Sequence, residues 1–191
     1  MHEMMRHAVN MLLYMLTALP ICLLARGIFL KVKKKKINAT YEAVWLIFVL
    51  FAVGMASQTV IPKFEVGANG FQLVQNGVHE TNLMPLKVLS DTYYEVFKNG
   101  NITYFLINVL GNVVMFVPFG VFIPLLWKAP SKKTVWIGFF ISLFIESCQL
   151  FLPRTTDVDD LILNTVGTRL GVLLFEALQK RFPHMIKKFV R

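Results

Sequence analysis

The sequence predicts an all-α, polytopic membrane helix bundle of about five spans. Three observations carry that prediction. Of 191 residues, 55% are apolar and 16% charged, against roughly 25% charged residues in a soluble domain, and mean hydropathy is +0.57. Apolar runs near the length a bilayer requires, about 17–25 residues, recur at 8–30, 41–61, 102–127, 134–152 and 159–179. The net charge of +9 is gathered into three clusters: Lys31, Lys33, Lys34, Lys35 and Lys36; Lys128, Lys132 and Lys133; and Lys180, Arg181, Lys187, Lys188 and Arg191. With five crossings all three fall on one side, which the positive-inside rule makes cytoplasmic. The N-terminus is then outside and the C-terminus inside. A basic stripe for nucleic acid would need a structured face with base-contacting partners, and none is evident, so nucleic acid is not an expected partner. Attraction to anionic lipid heads is the secondary effect such clusters imply.

The first segment is longer than the apolar core of a signal peptide, and its strongest basic flank follows it, so it reads as a helix. Cys22 and Cys148 lie in apolar segments as packing residues and say nothing of redox compartment. The chain reads as one membrane domain, 1–191, without an inverted repeat. Its large extramembrane piece is the outer loop 62–101. Strand-forming residues around Asn69-Gly70 suggest a small β-hairpin, and Asn76-Gly77 is a second turn candidate. Pro85 fixes an extended or turn conformation, and Tyr93, Tyr94 and Phe97 suit a lipid interface or an amphipathic surface segment.

The last three segments carry polar residues that hydrocarbon tolerates poorly. A rise of about 1.5 Å per residue puts Asn108 about 9 Å and Asn112 about 15 Å below the outer end of the third segment, Glu146 about 9 Å below the surface in the fourth, and Asn164 about 7 Å into the fifth. Asp160 starts the fifth segment, while Arg154 and Asp157 lie in the outer turn. All therefore fall in the outer half. At 100° per residue, Asn108, Gly111, Asn112, Met115 and Phe119 share one helix face; so do Ser142, Glu146 and Gln149, and so do Asp160, Asn164, Gly167 and Gly171. Gly167 and Gly171 have the GxxxG spacing that admits a close helix neighbour. Three helices can thus enclose a polar cleft open to the exterior.

Each residue also has an ordinary structural reading. Asn, Gln and Ser in spanning helices often serve as inter-helix hydrogen-bonding groups, Pro118 with Gly120 suggests a kink, and Asp159 suits a cap of the fifth helix. Glu146 is the hardest to explain so, because a carboxylate in hydrocarbon marks a functional site by default. A buried Glu opposite an Asp is the minimum set for general acid–base chemistry, and Arg154 could grip a phosphate or carboxylate in a forked contact. Such a set suits an outer-leaflet lipid head group, an isoprenoid-linked sugar or a peptidoglycan component. No His lies among these residues, so neither metal nor cofactor is expected. Arg169, mid-helix and off the Asp160 face, needs a partner on the first or second helix, or must snorkel.

NLMPL (82–86), NVLGNVVMFVPFG (108–120), IESCQ (145–149) and RTTDVDDLILNTVG (154–167) together resemble the VanZ-like family of bacterial membrane proteins, over about 81–171. Leu86 stands where that family usually has an aromatic residue, and Arg169 where it has small or apolar ones. The resemblance extends the polar set back to Asn82, with Pro85, Pro118, Gly120 and Gly167 as further matching positions. It implies a plasma-membrane protein of the bacterial cell envelope, associated with low-level teicoplanin resistance, and no settled mechanism. The resulting expectation has Glu146 and Asp160 as acid and base. Asn82, Asn108, Asn112, Gln149, Arg154, Asp157 and Asn164 form the substrate-binding set. The expected partners are the bilayer and a lipid-linked cell-wall precursor or peptidoglycan component. A small transporter or channel, and a purely structural assembly partner, are the alternatives.

Overall fold

The computed structural model describes residues 2–61, 64–67, 70–73, 81–152 and 156–189. A helix occupies each place the apolar runs predict. The first, α1 (His2–Val32), turns through the lysine loop into α2 (Ala39–Thr59), whose first turn is capped by Asn38 accepting from the Tyr41 N–H. Next come strands β1 (Phe64–Gly67), β2 (Gly70–Leu73) and β3 (Thr81–Asn82), then the short helix α3 (Lys87–Phe97). The third apolar run begins as α4 (Ile102–Phe105), passes through a π-helical segment (Leu106–Gly111) and continues as α5 (Asn112–Trp127). Helix α6 (Ser131–Gln149), strand β4 (Thr156–Asp157), helix α7 (Val158–Arg181) and a terminal α8 (Pro183–Phe189) complete the order.

Four stretches are long and apolar enough to cross a membrane: Val9–Val32, Ala39–Thr59, Ile102–Trp127 and Val158–Arg181. Helix α6 is not among them, because its 19 residues include Lys132, Lys133 and Glu146. It nevertheless packs along α7 and α5. The hairpin expected in the outer loop is present, with Gly67 paired to Gly70; Gly70 thus belongs to a strand rather than to the turn. Asn69, Asn76 and Gly77 lie outside the described residues. Helix α5 runs through Pro118 and Pro124, and the departure from α geometry lies earlier, at the π segment.

Glycine explains the tightest contact in the bundle, between α5 and α7. A Cβ on Gly120 would collide with the Thr168 carbonyl and the Gly171 Cα, and one on Gly167 or Gly171 would strike the Val113 or Val117 carbonyl. The backbones therefore touch with no side chain between them, as the GxxxG spacing predicts. Gly138 of α6 leaves room in the same way for the Thr168 side chain. Around this seam the buried side chains are small or weakly polar: Ser142, Thr134, Thr168 and Val172. An aromatic and aliphatic core of Phe48, Met55, Phe116, Phe119, Ile123 and Ile145 fills the space between α2, α5 and α6. Outward, α1 and the far faces of the other helices expose large apolar residues such as Leu16, Leu24, Phe144 and Leu173, as a lipid solvent requires.

Three polar contacts tie the elements together at one end. Near the lysine loop, Arg26 of α1 makes a forked pair with Glu42 of α2 (Nε–Oε2 2.6 Å, Nη2–Oε1 3.3 Å) and stacks over Trp45 at 4.5 Å. The Tyr41 hydroxyl donates to the Leu126 carbonyl at 3.1 Å, and Ser131 donates to Glu176 at 2.5 Å. These contacts bring the start of α2, the end of α5, the start of α6 and the end of α7 to one end of the bundle. The three basic clusters therefore flank that end, and Glu146, Asp160, Asn112 and Asn164 gather toward the other.

Candidate functional site

At the end opposite the lysines, α7 begins in a loop that is held from two sides. Strand β4 pairs in parallel with β3, Thr81 opposite Thr156 and Asn82 opposite Asp157. The Asn82 amide donates to both Asp157 oxygens at 3.0 and 3.1 Å, and Asp157 also accepts from the Asp159 N–H at 2.9 Å. Asp157 is thus the N-cap of α7, the place expected for Asp159. Asp159 points the other way. It is 1% exposed and accepts from the Leu86 N–H (2.5 Å) and the Val88 N–H (2.7 Å), fastening the start of α3 to the bundle. Leu86 itself sits in the left-handed region at φ 64°, ψ 14°, a conformation that disfavours a side chain.

Glu146, in the last turn of α6, is 7% exposed, and its Oε2 accepts from the Asp157 N–H at 3.2 Å. Asp160, one helical step into α7, is partly buried and accepts from the Asn112 amide. Rather than lying open at the surface, it is drawn toward α5. Asn112 also donates to the Asn108 carbonyl one turn back, and Asn108 to the Tyr104 carbonyl, both at 3.0 Å. Asn108 therefore bonds within its own helix. One turn deeper in α7, the Asn164 amide donates to the Ser142 hydroxyl at 2.9 Å, and its Oδ1 is buried without a partner among the described residues. The Thr168 hydroxyl closes on the Asn164 carbonyl at 3.0 Å, and the glycine contact seals the seam below it.

The expected residues divide accordingly. Glu146, Asp160, Asn112 and Asn164 come together where α5, α6 and α7 meet, with Ser142 added. Asn82 and Asp157 form the loop joint above them. Gln149 instead reaches α2, donating to the Thr59 carbonyl at 3.5 Å, and its Oε1 is also buried and unpartnered among the described residues. Arg154 lies outside the described residues. Arg169 is exposed and has no ion-pair or hydrogen-bond partner among the described residues; neither α1 nor α2 supplies one. Among the described residues no cluster of His, Cys, Asp and Glu is arranged to hold a metal ion.

Sequence reasoning did not find the Asp159 clamp or the Arg26–Glu42 pair. Three acids within four residues at a helix start look alike in a sequence, and which one meets which backbone N–H is decided by the returning chain 71 or more positions away. The charge pair had a usable signal: two opposite charges in adjacent apolar runs, both near the same connecting loop.

Chemically, the arrangement offers two carboxyl groups from adjacent helices beside one buried carbonyl acceptor, the Asn164 Oδ1. It is rich in acceptors and shielded from the lysine-bearing end. No curated protein and no solved structure matches the chain. A family model described as VanZ/LLP1 matches residues 44–179, a stretch that includes every residue of this cluster, and on that match the chain belongs to the VanZ/LLP1 family.

Proposed function

We propose that this VanZ/LLP1 membrane protein crosses the bacterial plasma membrane five times, with its N-terminus outside, and presents the Glu146–Asp160 end to the exterior. There it binds or modifies an envelope component, with a lipid-linked cell-wall precursor as the preferred class, and so lowers teicoplanin susceptibility. The observation that carries the reading is the convergence of Glu146 and Asp160 at the end of the bundle farthest from the three basic clusters. Buried carboxylates at a membrane protein's polar end are costly without a use, and the fold spends none of its basic residues on neutralising this pair among the described residues.

On this reading Glu146 and Asp160 exchange the proton, and Asn112 and Asn164 orient the ligand. The Asn164 oxygen, unpartnered among the described residues, is the acceptor kept for a donor on the ligand, such as a sugar hydroxyl or amide. Asn82, Asp157 and Asp159 hold the rim rather than the ligand. A channel reading is less well supported, because glycine and phenylalanine packing fills the bundle beyond Asn164. A purely structural reading suits Asn82 and Asp157 but leaves Glu146 with a single long bond among the described residues. The test is Glu146→Gln at parental abundance in a teicoplanin-susceptibility assay. Loss of the effect is expected; full retention would remove the acid–base reading.

A further inference from the structure

Arg169 lies 11 residues after the start of α7 and 12 before its end, about 16 and 18 Å from the two. If α7 crosses a hydrocarbon core of about 30 Å, as its length and composition allow, Arg169 stands near the midplane. Its side chain is exposed, in a stripe with Val166, Leu170, Leu173 and Leu174. A snorkelling guanidinium covers at most roughly half the distance to either end. An unpaired charge at that depth is expensive, and such residues pair with one another or face polar surroundings.

No carboxylate of this chain serves among the described residues. Glu176 lies seven positions on, about 10 Å lower, and is held by Ser131. Glu42 is engaged by Arg26. Asp160 lies in the first turn of α7, and Glu146 stands beside that end in the last turn of α6. A second copy in the same orientation would bring Arg169 to the depth of another Arg169. Charge complementarity therefore calls for a different chain.

We propose that the Arg169 stripe of α7 is an intramembrane docking surface for a partner helix carrying an Asp or Glu near the bilayer midplane. The probe is a 24-residue Leu/Ala helix with one central Asp, beside twins carrying Leu or Asn at that place. Each is acceptor-labelled and co-reconstituted with the donor-labelled full chain in phosphatidylcholine vesicles. Energy transfer should show about tenfold tighter association for the Asp helix than for the Leu helix. That preference should vanish in Arg169→Leu and survive in part in Arg169→Lys. Equal association of the Asp and Leu helices, as expected if lipid phosphates serve the guanidinium, overturns the proposal; so does a preference that persists in Arg169→Leu. In native membranes, a photoreactive residue at Leu170 should crosslink to a membrane protein with a midplane carboxylate, and Arg169→Leu should abolish the adduct. Adducts to lipid alone, or to proteins without such a carboxylate, also overturn it.

Discussion

Replacing Asp159 tests how the outer rim is held. The Asp159 carboxylate satisfies the Leu86 and Val88 N–H groups at once. Asp159→Ala leaves both unmet. Val88 is buried, so its N–H carries most of the penalty of an unsatisfied donor, about 1–3 kcal/mol. Leu86 is more than half exposed, so water can reach its N–H and the further loss is about 1 kcal/mol at most. The expected total is roughly 1–4 kcal/mol. Asp159→Asn keeps one acceptor and should lose about half as much. Because the damage is confined to the joint between β3, α3 and α7, proteolysis between residues 82 and 97 should rise in parallel. Unfolding in detergent micelles, followed by tryptophan fluorescence and paired with limited proteolysis, measures both. An Asp159→Ala protein within about 0.5 kcal/mol of the parent, with unchanged cleavage, would refute the clamp.

The remaining predictions concern packing, charge and strain. Gly120→Ala should destabilise by about 1–3 kcal/mol or more, since the new methyl meets rigid backbone of α7; Gly27→Ala, with open space around it, should stabilise by about 0.5–1 kcal/mol. The same unfolding assay reads both. Arg26→Leu should lower stability by about 1.5–3 kcal/mol through loss of the forked, charge-assisted pair with Glu42, and a double-mutant cycle with Glu42→Leu should show a coupling of similar size. Leu86→Gly should relieve the left-handed backbone and raise stability by about 1 kcal/mol, seen as a higher melting temperature.

The sequence made the helices legible because hydropathy and length decide them in a bilayer, and the lysine clusters fall at one end as the alternation of spans requires. The roles of Gly167 and Gly171 were legible too, since a GxxxG row beside polar residues has few uses other than close approach. The convergence of Glu146, Asp160, Asn112 and Asn164 followed from depth and helical angle alone. Direction was harder to read. Gln149 shares a helix face with Glu146, yet one turn along, near the helix end, it meets α2 instead of α7. Asn108 shares a face with Asn112, but the π segment surrounds it and its amide finds the Tyr104 carbonyl. Leu86 carries no hint of a left-handed backbone, a conformation found where its N–H meets Asp159 from across the fold. Such features depend on contacts between distant segments, which periodicity does not encode.

The central claim is that the Glu146–Asp160 end receives a lipid-linked cell-wall precursor. The most direct measurement is binding of that precursor to the full chain in nanodiscs, for the parent and for Glu146→Gln and Asp160→Asn variants of matched melting temperature. The account predicts saturable binding by the parent and at least about tenfold weaker binding by each variant. No saturable binding by the parent, or binding that both variants retain in full, would contradict it.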